Sequence, residues 1–175
     1  GQRITIYTPR QRRVNADGVA LSLADFVAPK GYNDRVALFA VTVPKRLVTA
    51  IEKFTRRGDD YNALLYQSLA DRVVEAASEY IYRQMRLRYF ASCDDAKRLI
   101  SAENRLSISQ LFAAKYRGIR PAVGYPCLPN HQLKQPLFDL LEASDLGITL
   151  TESGAMLPQA SVCGLYLANK HAKYF

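Results

Sequence analysis

The stretch Arg120-Pro121-Ala122-Val123-Gly124-Tyr125-Pro126-Cys127-Leu128-Pro129-Asn130-His131 divides the chain. Each of its three prolines fixes one φ angle and removes one amide donor, and Gly124 opens backbone space closed to other residues. These residues therefore form neither a regular helix nor an interior strand. Helical periods dominate the sequence before this loop, and short strand-like runs lie after it and near the N-terminus. That distribution predicts an α+β fold, a largely antiparallel sheet with long helices packed against it. The loop also carries a guanidinium, a phenol and an imidazole. It reads either as a rigid binding segment or as a proline-stiffened connection.

Working outward, Ser107-x-x-Gln110 is a capping-box pattern that opens a helix with Ile108, Leu111 and Phe112 on one side and Gly118 as its stop. Before it, Leu65, Leu69, Val73, Ala76, Tyr80 and Leu87 recur at helical spacing, so a long helix is expected from Asp59 or Asp60 to about Phe90 with that stripe as its apolar side. A shorter helix follows Pro44, with Leu47, Val48, Ile51 and Phe54 on one face and Gly58 at its end. Val36 to Val43 is almost uniformly apolar and reads as a central strand buried on both faces. Ile4 and Ile6, then Val19, Leu21 and Leu23, alternate as half-buried strands would, with a turn at Asn15 to Gly18. After the loop, Leu137 to Leu141 predicts a short helix stopped by Gly147. Ile148 to Leu150, Met156 to Leu157 and Val162 to Leu167 predict strands.

The chain has 175 residues, 49% hydrophobic and 23% charged, which suits one globular domain over residues 1–175 with a sizeable core. It has no long apolar run and no leader-like segment, so a soluble protein without membrane contact is expected. Cys93, Cys127 and Cys163 lie far apart without a CxxC pair, as in a reduced, cytoplasmic protein. A net charge of +8 favours an acidic partner or simply a solvated basic surface. The basic residues are scattered, and no polybasic run or RNA-binding aromatic motif supports a nucleic-acid partner.

No G-x-G-x-x-G follows a strand and no phosphate-binding G-x-x-x-x-G-K-[ST] is present, which leaves dinucleotide and nucleoside triphosphate chemistry without support. His131 and His171 are the only histidines, too few and wrongly spaced for a zinc site, so no metal site is expected. Cys127 has no base beside it in sequence to make it a nucleophile. Asp71 and Glu75 sit four residues apart on one helical face, either as a solvated pair or as hydrogen-bond acceptors for a partner's cationic or imidazole group.

The loop resembles the S-adenosylmethionine-binding loop in the activation domain of cobalamin-dependent methionine synthase. Four further stretches agree in order: Leu23 to Lys30; Asp59 to Asn62 leading to Leu69-Ala70-Asp71-Arg72; Leu150 to Ser153; and Pro158 to Tyr166 with Lys173-Tyr174-Phe175. The resemblance implies that Arg120, Ala122, Gly124, Tyr125, Tyr174 and Phe175 form the cofactor site, with Tyr125 towards the corrin, and that Asp71 and Glu75 form a docking face. It implies S-adenosylmethionine as the bound cofactor, cobalamin carried by a partner module or chain, and a flavodoxin-like electron donor. The activity implied is reductive methylation of cob(II)alamin during reactivation, with this chain a component of a methyltransferase and no catalytic residue of its own.

The chain lacks the D-x-H-x-x-G run by which a cobalamin module supplies its histidine ligand, so the cobalt is expected on another module. Against the family pattern, the N-terminal helical part and the C-terminal helix are missing, residues 91–106 read as an insertion, Val123 replaces a proline and Leu157 a tryptophan. A docking module of the same fold that has lost the ligand is the alternative reading, and a basic nucleic-acid-binding domain is a third.

Overall fold

A computed structural model describes residues 3–14, 16–32, 34–89, 100–102 and 105–175. Its architecture is a mix of helix and antiparallel sheet, as the sequence predicts. Within it the chain forms two compact units. One comprises Gly1–Ile4, Leu38–Tyr80 and Asn130–Gly164, and the other Thr5–Ala37, Ile81–Pro129 and Leu165–Phe175. Cys93 and most of the expected insertion at 91–106 lie outside the described residues.

Strand β1 (Val36–Thr42), which lies in the first unit from Leu38 on, pairs with a later strand, β4 (Ser161–Leu167), which belongs to that unit up to Gly164. The expectation of a central strand buried on both faces fails for β1. Among the described residues β4 is its one neighbour, and only Phe39 and Val41 within it are buried. The strand enclosed on both faces is β4, buried continuously from Val162 to Leu167. Thr42 Oγ1 and Ser161 Oγ, 2.8 Å apart, tie β1 to β4.

Helix α1 (Lys45–Arg56) has Pro44 as its N-cap, one place outside the expected first turn. It ends where Gly58 takes φ +70°, with the Asp59 amide donating to the Phe54 carbonyl and the Gly58 amide to that of Thr55, a Schellman closure. Asp59 then caps helix α2 (Asp60–Arg88), its carboxylate accepting from the Asn62 amide at 3.2 Å.

The stripe expected to be the apolar side of α2 is instead its exposed side, with Leu65 50%, Leu69 52% and Tyr80 63% accessible. The buried side runs through Ala70, Val74 and Ser78 in the first unit and continues to Tyr82 and Arg86 in the second. Periodicity alone picks the wrong face because two of the groups on the buried side are polar and find local partners there. Ser78 Oγ donates to the Val74 carbonyl at 2.8 Å, and the Arg86 guanidinium stacks on tyrosine rings.

Further along the first unit, Asn130 caps a single 3-10 turn, His131–Leu133, that leads into the next described full helix of this unit, Lys134–Leu141. Pro136 falls in its first turn, where a missing amide leaves no bond unmade. This helix stops at Glu142, which adopts φ +50°, and Gly147 ends a separate 3-10 turn, Ala143–Leu146, rather than the helix. Strands β2 (Thr149–Leu150) and β3 (Met156–Leu157) form an antiparallel hairpin in the register Thr149 to Leu157. Gly154 at φ +76° makes its turn, and β4 follows.

In the second unit the predicted N-terminal strands are not formed. The chain does double back at the expected turn, where Gly18 has φ +76°, but one backbone bond and several side-chain bonds, rather than a ladder, join the two arms. The Gln11 amide donates to the Leu21 carbonyl at 2.8 Å, and the Leu21 amide to Gln11 Oε1. Alternation of apolar residues gives an extended chain here, yet Thr8, Arg10 and Gln11 spend their polar groups on the opposite arm. Leu23, expected in a strand, instead begins a 3-10 turn, Leu23–Phe26, closed by a capping box between Ser22 and Asp25. The helix Ile108–Phe112 opens with the predicted Ser107–Gln110 capping box but ends at Ala113, well before Gly118.

Candidate functional site

Gly118 is not a helix stop; it is where the loop meets the buried end of β4. With φ +81°, it lies so close to that strand that a Cβ there would collide with the Leu167 carbonyl oxygen and the Tyr82 hydroxyl. Next to it, Ile119 and Leu167 exchange both backbone hydrogen bonds, at 3.1 and 3.0 Å. The Leu165 amide donates to the Pro121 carbonyl at 3.0 Å. Proline fits here because its carbonyl, not its absent amide, faces the strand.

This short antiparallel run buries Ile119 and Pro121 and leaves Arg120 between them only half-buried. Alternation along extended chain accounts for the difference. The loop then folds on itself. The Tyr125 amide donates to the Ala122 carbonyl, Gly124 at φ +104° donates to the Leu128 carbonyl at 2.8 Å, and the Leu128 amide returns to the Tyr125 carbonyl at 2.8 Å. Cys127 and Leu128 are drawn inside by these bonds, while Tyr125 is left 42% exposed.

Of the residues singled out by sequence, Arg120 and Tyr174 are brought together. The Arg120 amide donates to the Tyr174 hydroxyl at 3.0 Å, across 54 residues of sequence. The tail that delivers Tyr174 is fastened by Arg117, whose Nε donates to the Ala168 carbonyl at 2.8 Å, and by a turn in which the Ala172 amide donates to the Asn169 carbonyl. Tyr174 is 43% exposed and Phe175 half-buried. Ala122, by contrast, is buried, and its carbonyl already accepts from the Tyr125 amide. Gly124 is exposed, with its amide already engaged.

Beneath the loop lies a group that sequence reading missed. Tyr82 stacks on Tyr166 with centroids 4.9 Å apart and meets Tyr116 edge-on at 5.7 Å. The Arg86 guanidinium lies over both Tyr82 and Tyr116, at 4.4 and 3.9 Å from the ring centroids. The Tyr82 hydroxyl reaches the Leu167 carbonyl at 3.0 Å, fixing the strand end against which the loop is laid. The signal was present as residues 70, 74, 78, 82 and 86, a strict four-residue spacing hidden by its polar members.

Burial pushes the Cys127 thiol above its ordinary value, which keeps it protonated and removes it as a nucleophile at neutral pH. In the first unit, Asp71 and Glu75 are half-buried on α2, and Asp71 Oδ1 accepts from Gln67 Nε2 at 3.0 Å. No helix among the described residues is long and apolar enough to cross a membrane.

The family model of the vitamin B12 dependent methionine synthase activation domain matches residues 2–175, across both units. The chain is also similar to a solved structure described as the MetH reactivation domain bound to AdoHcy, with 37% identity and a TM-score of 0.84. That match covers 97% of this chain and 50% of the other, so this chain spans about half the length of its solved relative. A sequence match running almost end to end and a matching fold agree with the motif order read at the outset: the chain belongs to the family of activation domains of vitamin B12 dependent methionine synthases.

Proposed function

We propose that the chain binds S-adenosylmethionine at the Arg120 loop and presents it to a cobalamin carried by another module, as the reactivation component of a methionine synthase. The observation that carries this reading is the hydrogen bond that sets Tyr174 against Arg120 in a relative of a domain solved with AdoHcy. The residues fit such a ligand. Arg120 offers a planar fork suited to a methionyl carboxylate, a geometry lysine does not match. Tyr125, Tyr174 and Phe175 offer partly exposed aromatic surface, and Gly124 permits close backbone approach.

The bound ligand would supply an activated methyl group, and the partner's cobalamin the metal centre that receives it. The work of this chain is to hold and orient. Arg120 fixes the amino-acid end, Tyr174 braces the Arg120 backbone, and the packed Cys127–Leu128 base keeps the loop rigid. Asp71 and Glu75 serve as hydrogen-bond acceptors for the cobalamin module, and the chain's net positive charge of +8 suits an acidic flavodoxin-like donor in the cytoplasm. A docking role without ligand is the second reading, favoured by the burial of Ala122, one of the residues assigned to the ligand.

Titration calorimetry with S-adenosylmethionine separates the two. Saturable binding is expected, weakened about thirtyfold in Arg120→Ala, which corresponds to about 2 kcal/mol for lost charge-assisted hydrogen bonds. Arg120→Lys should recover only part of it. Binding unchanged by Arg120→Ala overturns the assignment of the anchor. No binding at all, with a cobalamin module still captured, selects the docking role.

A further inference from the structure

The first unit contains a second polar recess that the proposed methyl-donor role does not use. Lys134, at the start of the helix Lys134–Leu141, is only 4% exposed. Its Nζ donates to the Gly154 carbonyl at 2.6 Å, and among the described residues the ammonium makes no other hydrogen bond and no ion pair. A buried ammonium has three donors and a full charge, and its desolvation is normally offset by a carboxylate and further acceptors. One peptide carbonyl supplies neither the charge nor the remaining bonds.

The same lysine lines an open cavity of about 340 Å³ together with His131, Ser153, Met156 and Gln159. Every polar side chain in that group can donate a hydrogen bond, and no carboxylate lines the cavity. The β2–β3 turn shapes it. Gly154 takes φ +76°, Ser153 Oγ is held 2.9 Å from Thr151 Oγ1, and the Gly154 carbonyl faces the ammonium. Burial raises the pKa of the Cys163 thiol to about 11, while the Lys134 charge acts to lower it. At roughly 30 Å³ per water, the space holds several waters or a small organic acid.

We propose that this cavity is a binding site for a compact oxyanion, a carboxylate or phosphate group, which completes the coordination of Lys134 with His131, Ser153 and Gln159 donating at its rim. The inference stands apart from S-adenosylmethionine binding and survives if that reading fails.

The test is NMR titration of the whole chain, labelled with 13C at lysine and 15N throughout, using sodium acetate or inorganic phosphate at constant ionic strength with chloride as the balancing salt. Saturable shifts are expected at the Lys134 methylenes and at the amides of His131, Ser153 and Gln159 with at least one oxyanion. They should be weakened at least tenfold in Lys134→Met, which keeps an unbranched apolar stem without the ammonium, and several-fold in the surface variant His131→Ala. If Lys134→Met does not fold, the wild-type and His131→Ala titrations decide. Shifts that fail to saturate with both anions, or that persist unchanged in the variants, overturn the proposal.

Discussion

Gly118→Ala tests the central claim that the loop is set by backbone contact with the end of β4. The methyl group would enter space held by the Leu167 carbonyl and the Tyr82 hydroxyl, at a backbone angle of φ +81°. The angle alone costs a non-glycine residue about 1–2 kcal/mol. Displacing the Tyr82 hydroxyl from Leu167 strands a buried polar pair, for about 1–3 kcal/mol more. The sum, roughly 2–5 kcal/mol, corresponds to a fall in Tm of about 5–20 °C for a domain of this size.

Gly58→Ala is the matched control, because Gly58 also has positive φ, at +70°, but nothing stands within 4 Å of its added methyl. It should lose only the angular cost, about 1–2 kcal/mol. Thermal and urea unfolding followed by far-ultraviolet circular dichroism measure both. In a Tyr82→Phe background the extra cost of Gly118→Ala should shrink, since one of the two colliding atoms is gone. Equal losses for the two glycine variants would refute the close-approach argument.

Further outcomes follow from local geometry. Asp59→Ala removes the cap of α2 and should cost about 1 kcal/mol, with Asp59→Asn retaining most of it, read by urea unfolding. The Arg10 guanidinium, bonded through two nitrogens to the exposed Asp25 at 2.6 and 2.7 Å, holds that carboxyl down at about 2, with help from the Ser22 amide. Because the folded value lies below the unfolded one, this contribution is present above about pH 4 and disappears as pH falls towards 2. Salt and Arg10→Ala should both flatten that part of the stability curve. For Cys163 the sign reverses. Burial lifts its thiol to about 11, so stability is retained below the ordinary thiol value of about 8.5 and lost as pH rises towards 11. A thiol reagent at pH 8 should label Cys127 and Cys163 far more slowly in the native protein than in urea.

Local signals in the sequence are accurate wherever the physics is local. The Ser107–Gln110 capping box, the Gly58 closure and the Asp59 cap each depend on residues within five positions, and each forms as its motif dictates. The buried face of α2 was illegible because hydropathy ranks Leu65 and Leu69 above Ser78 and Arg86, while burial follows the partners available. A helical carbonyl at Val74 and the rings of Tyr82 and Tyr116 make the polar stripe the inner one. The alternating N-terminal arms misled for a related reason, since Gln11 and Thr8 replace ladder bonds with side-chain bonds. At the site, the loop itself was recognisable from Pro121, Gly124 and Pro126. Its contact with Tyr174 was not readable from spacing, because no periodicity relates residues 54 apart. Nor did sequence reveal that Ala122 is buried, since the alternation set by the pairing of Ile119 and Pro121 with β4 ends there and the loop folds back on itself.

The tyrosine cluster beneath the loop gives the protein a built-in optical reporter. The sequence has 11 tyrosines and no tryptophan, so phenol rings dominate the near-ultraviolet spectrum without interference from indole. Tyr82, Tyr116 and Tyr166 are locked in one asymmetric arrangement, and their dichroism should fade when the second unit loosens even if its helices persist. Loss of tertiary order around the loop can therefore be followed separately from loss of helix, on unlabelled protein and in a single cuvette.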